Sequence, residues 1–127
     1  MYYNVKTNKD FETATSDLEQ CVIDGGFGVM HVHNIGNTLR SKGVEFAENC
    51  NVLEVCNPKI AAQVMAQDMQ LNMALPCRIS VYTQEGETLI GMIKPAKMLS
   101  SLSDSDELVA IAKDVEQTLM KMIDNAK

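Results

Sequence analysis

The sequence predicts one α+β domain whose sheet is built mainly from antiparallel pairs. Strand-like and helix-like segments share a single chain of 127 residues with no linker, repeat or low-complexity tract between them. Two strand segments are joined by the short polar turn Gln84-Glu85-Gly86-Glu87, which makes them a hairpin. The segments also alternate too unevenly for a doubly wound parallel sheet. A chain of this length encloses one core without staples, so residues 1–127 form a single domain.

Tyr2 to Lys6 reads as the first strand, after which Thr7 or Asn8 caps a helix from Lys9 to Asp24. Phe11, Ala14, Leu18, Cys21 and Val22 recur at helical spacing, and Gly25-Gly26 supplies the left-handed stop. Phe27 to His33 is the second strand, and strict alternation puts Phe27, Val29, His31 and His33 on one face. Ile35 to Lys42 is a short helix ended by Gly43, followed by an irregular stretch and a third strand from Asn51 to Cys56.

Asn57 is a favoured cap and Pro58 suits the first helical position, so a helix opens there and runs to Met69. Leu75-Pro76 restarts extended chain, because a residue before proline avoids the helical region, and Cys77 to Tyr82 follows as a strand. Thr88 to Ile93 returns across the hairpin and Pro95 ends it. Ser103 to Glu107 brings capping oxygens and negative charge to a last helix, Asp106 to Asn125, whose core stripe is Leu108, Ile111, Ala112, Val115, Leu119 and Met122.

Hydrophobic residues make up 46% of the chain and charged residues 22%, an ordinary globular balance. Eleven Lys and Arg against seventeen Asp and Glu leave a net charge of −6, and the basic residues are dispersed, so neither nucleic acid nor an anionic membrane is an expected partner. The N-terminus has no secretory pattern and no segment reaches a bilayer-spanning length, which points to the cytoplasm. Cys21, Cys50, Cys56 and Cys77 form no CxxC pair and are read as free thiols.

The chemistry concentrates in Cys56-Asn57-Pro58 and Leu75-Pro76-Cys77. Cys56 precedes a helix cap, where unpaired amides favour thiolate over thiol; the alternative is a small side chain filling a core gap. Cys77 shares a strand face with Ile79 and Val81, which draws it inward. The two thiols are twenty-one positions apart, a spacing that matches neither a zinc knuckle nor a redox pair, so a joint site requires convergence in space.

His31 and His33 alternate along a strand about 7 Å apart and could both reach one metal, with Glu45, Glu48, Cys50 or Glu54 as third ligand; solvated or packed histidines are the simpler reading. Met65, Met69 and Met73 recur every four residues and are assigned to core packing.

Gly26-Phe27-Gly28-Val29, Cys56-Asn57-Pro58-Lys59-Ile60-Ala61, Leu75-Pro76-Cys77-Arg78, the hairpin, and Pro95 followed by Met98-Leu99 together resemble the domain of unknown function family 302, from Tyr2 to Ile123. The resemblance implies a curved, mainly antiparallel sheet with helices packed on one face, similar to the TATA-binding-protein-like arrangement, and a homodimer. It implies no established reaction and leaves any cofactor unknown. This chain has Glu54-Val55 where the family usually has Gly-Ala, and Lys94 where it has an acidic residue.

Three functions follow as expectations. The first is a binding or sensing domain whose pocket is bordered by Cys56, Asn57 and Cys77 and accepts a small molecule or soft metal at helix-start amides and thiols. The second is a thiol-dependent or redox enzyme using Cys56, with His31 or His33 carrying the proton. The third is a structural interaction protein.

Overall fold

The computed structural model describes residues 1–127 and has five strands in the order β1-β5-β4-β3-β2, every neighbouring pair antiparallel. These are β1 (Tyr2–Thr7), β2 (Gly28–Asn34), β3 (Cys50–Cys56), β4 (Cys77–Gln84) and β5 (Glu87–Ile93). The helices are α1 (Phe11–Asp24), α2 (Ile35–Ser41), α3 (Pro58–Gln67), α4 (Pro95–Ser100) and α5 (Asp106–Ala126). A 3₁₀ segment, Met69–Ala74, links α3 to β4. The α+β class and antiparallel sheet are as expected from sequence, and no helix is long and apolar enough to cross a membrane.

Helices α1 and α5 lie against each other and across one face of the sheet. Ala14, Leu18 and Val22 of α1 and Leu119, Met122, Ile123 and Ala126 of α5 meet Leu53, Val55, Ile79, Val81 and Ile90 of the strands in one buried cluster. Leu53, Ile79 and Ile90 lose all solvent contact, each contributing about 1.5–3 kcal/mol of burial free energy. A smaller cluster of Val64, Leu71, Leu99, Leu108 and Ala112 joins α3, the 3₁₀ segment, α4 and the start of α5.

Four local expectations need correction. The cap of α1 is Asp10, whose carboxylate accepts from the Thr13 amide at 2.7 Å, so the helix begins two residues after Lys9. An acidic oxygen there also complements the helix dipole, which favours it over Thr7 or Asn8. Pro95 starts α4 instead of leading into loop, since its fixed φ fits a first helical position and Leu99 anchors the turn in the smaller core. Helix α3 stops at Gln67 because Asp68 turns extended and caps the 3₁₀ segment, which leaves Met69 and Met73 exposed instead of packed.

The fourth correction concerns β2. Val29 pairs with Val55 and His31 pairs with Glu54, so Met30 is an extra residue bulging from the strand. Val29 therefore lies on the face of Val55, toward the core, while His31 and His33 lie on the opposite, outer face with Glu54 and Val52. Strict alternation fails at one residue, and the two histidines part company with Val29.

The hairpin turn places Glu85 and Gly86 at φ 52° and 83°, the two positive values that match the twist of the flanking strands. The Glu48 side chain fastens this turn, accepting from Thr83 Oγ1 at 3.0 Å and from the Glu85 amide at 2.9 Å.

Candidate functional site

Asn57 caps α3 from an extended conformation, its Oδ1 accepting from the amides of Lys59 at 3.1 Å and Ile60 at 3.3 Å. Its Nδ2 donates to the Gly26 carbonyl at 3.4 Å, tying the helix start to the turn after α1. Pro58 has no N–H, so the free amides nearest Cys56 are the two already engaged by Asn57. Cys56 ends β3 opposite Gly28 and is half-buried.

Cys77 opens β4 opposite Val55 and packs against the main core with Ile79 and Val81. Burial pushes its thiol up to about 11, with the nearby Cys56 adding to the rise and the Arg78 guanidinium opposing it. At neutral pH Cys77 is thus a protonated thiol and a poor nucleophile. Burial likewise raises the Cys21 and Cys50 thiols.

Cys56, Asn57 and Cys77 line one apolar crevice, closed by Phe27, Ile60 and Val115, with a volume of about 30 Å³. That is room for a water or two, far below the several hundred Å³ that an organic ligand fills. All four cysteines are free thiols.

On the outer face, the His31 and His33 rings meet edge-on with centroids 4.3 Å apart, and His33 Nε2 lies 2.7 Å from Glu54 Oε1. Of the carboxylates considered as a third ligand, Glu54 is the one that reaches a histidine, and Glu48 is spent on the hairpin turn. No three His, Cys, Asp or Glu side chains gather in a metal-binding arrangement.

Sequence reasoning missed a cavity much larger than this crevice, a groove of about 570 Å³ bounded by sixteen residues, ten of them hydrophobic. Its floor is the outer sheet face, where the register aligns Asn4, Gly91, Ser80 and Val52 across β1, β5, β4 and β3. Tyr2, Arg78 and Tyr82 flank that row on β1 and β4, and Met73, Pro76, Pro95 and Met98 form walls from the segments beside the sheet. Gly91 leaves room for the Asn4 side chain, whose Oδ1 a Cβ at position 91 would displace. Cys77 and Pro76 border both the groove and the crevice.

One signal in the sequence pointed to this face. Arg78, Ser80 and Tyr82 alternate with Cys77, Ile79 and Val81, so the inward set implied a polar outward set. Which strands stand beside β4, and hence which residues complete the groove, depends on strand order.

Comparison with known proteins agrees with this architecture. The family described as Domain of unknown function DUF302 matches residues 3–126. The chain is similar to an uncharacterized conserved DUF302 protein from Bacillus stearothermophilus, whose crystal structure superposes with a TM-score of 0.94 at 32% identity, covering 99% of this chain and 98% of that one. No curated protein matches it. Matched over nearly its whole length by the family and by a solved member's fold, this chain belongs to the DUF302 family.

Proposed function

We propose that the chain is a cytoplasmic binding or sensing domain, acting as a homodimer, that holds a small organic molecule in the outer-face groove. Cys77 stands at the inner boundary of that site, with Cys56 and Asn57 behind it in the crevice. The observation that supports this reading is the groove itself: about 570 Å³, largely apolar, with a few polar side chains, which is the size and character of ligand cavities. Four free thiols suit a reducing compartment.

Thermal unfolding against a panel of metabolites and fragments tests the proposal. A ligand present at about 100 times its dissociation constant adds about 2.7 kcal/mol and raises the melting temperature by several degrees. Ser80→Trp, which fills the groove floor, should abolish the rise, and Cys21→Ala, on α1, should keep it. A panel that shifts neither protein, or a rise that survives Ser80→Trp, would refute the assignment.

A further inference from the structure

We infer that the groove selects an organic monocarboxylate, its carboxylate paired with the Arg78 guanidinium and its apolar body laid along Val52, Ile93, Met73 and Met98. This rests on the groove being a ligand site. Arg78 is the one charged residue among the sixteen that line it, and no Asp or Glu is present there to repel an anion. The one charge on the lining itself is thus positive, although the chain as a whole carries −6.

The two arginines of this protein are used in opposite ways. Arg40 spends its guanidinium internally, donating to the Phe46 carbonyl at 2.7 Å, the Glu48 carbonyl at 3.0 Å and Asn37 Oδ1 at 2.9 Å. Arg78 makes no ion pair and no side-chain hydrogen bond. Its cross-strand neighbour is Glu54, the natural partner at that register, yet Glu54 turns instead to His33 at 2.7 Å. The His33–Glu54 pair therefore leaves Arg78 available to a ligand.

The surrounding polar groups are equally uncommitted. The hydroxyls of Tyr2, Ser80 and Tyr82 and the side-chain amide of Asn4 have no hydrogen-bond partner within the protein, although the neighbouring Tyr3 hydroxyl is bonded to Asp124. A planar, permanently charged fork matches a carboxylate with two parallel N–H···O bonds, and hydroxyl donors beside it serve the remaining lone pairs. A single fixed cation and a mostly apolar lining suit a monoanion with a hydrocarbon body better than a phosphate dianion.

Titration calorimetry of the intact chain at pH 7.5 tests this with decanoate, decanol and inorganic phosphate as probes, on wild type, Arg78→Gln, Arg78→Lys and Ser80→Trp. Decanoate should bind wild type at least about tenfold more tightly than decanol and than phosphate. Arg78→Gln should erase the preference over decanol, Arg78→Lys should retain part of it, and Ser80→Trp should remove binding of both chains. Equal binding of decanoate and decanol to wild type would overturn the carboxylate assignment while leaving the groove a ligand site, and this arm needs no variant to fold. Unchanged decanoate binding by Arg78→Gln would overturn it in the same way. No binding of any probe below about 5 mM would overturn both the carboxylate assignment and the groove reading.

Discussion

Replacing Cys77 by alanine should reverse the stability order of variant and wild type between neutral and strongly alkaline pH. The thiol rises from an ordinary 9.0 to about 11 in the folded chain. Below pH 9 it is protonated in both states and ionisation leaves stability untouched. Between pH 9 and 11 the unfolded chain releases the proton while the folded chain keeps it, so the unfolded state binds fewer protons and stability falls as pH rises. Two pKa units correspond to up to about 2.7 kcal/mol, most of it lost by pH 11. Cys77→Ala costs about 1 kcal/mol of packing at neutral pH but escapes the alkaline loss, so it should be the more stable protein by about 1–2 kcal/mol near pH 11. Urea unfolding in the presence of a reductant, from pH 7 to 11.5, measures the difference, and titrations common to both proteins cancel in it. A gap that stays within about 0.5 kcal/mol across that range would show that Cys77 is neither buried nor coupled as described.

Asn57→Ala should cost about 1 kcal/mol, because the amides of Lys59 and Ile60 lose their acceptor, whereas Asn57→Asp keeps the cap; melting temperatures distinguish them. Thr15→Val should cost about 1–3 kcal/mol by taking away the hydroxyl that receives the buried Asn51 Nδ2 at 3.2 Å. Adding Asn51→Leu to Thr15→Val should recover most of that loss, since both polar groups are then gone; chemical denaturation of the single and double variants gives the coupling, and strict additivity would contradict the contact.

Elements with local determinants were legible in the sequence. Helix α5 carries its own start at Ser105, whose hydroxyl accepts from the Leu108 amide, and a stripe in which Leu108, Ala112, Val115, Leu119 and Met122 are buried. Asn57-Pro58 likewise specifies the start of α3, and Glu85-Gly86 specifies the hairpin. Helix α4 was not legible, because six residues hold their shape only with Leu99 seated against Leu108 and Ala112 and with Glu116 reaching the Ala96 amide at 3.3 Å. The groove was hidden for a related reason. Its residues come from four strands, the segment before β4, α4 and α5, and Arg78 alone reads as any exposed strand charge. Only the pairing of Glu54 with His33, itself dependent on the displaced Met30, shows that Arg78 has lost its local partner.

The extra residue at Met30 also bears on how copies of this protein can meet. Strand β2 is an edge of the sheet, and an edge strand ordinarily offers a row of unpaired amides and carbonyls to any second strand laid alongside. At Met30 that row breaks phase by one residue, so a straight partner can pair with the stretch before the bulge or the stretch after it, but not with both. Extension of one sheet into another along β2 is therefore obstructed, whereas β1 at the other edge runs in unbroken register from Tyr2 to Thr7.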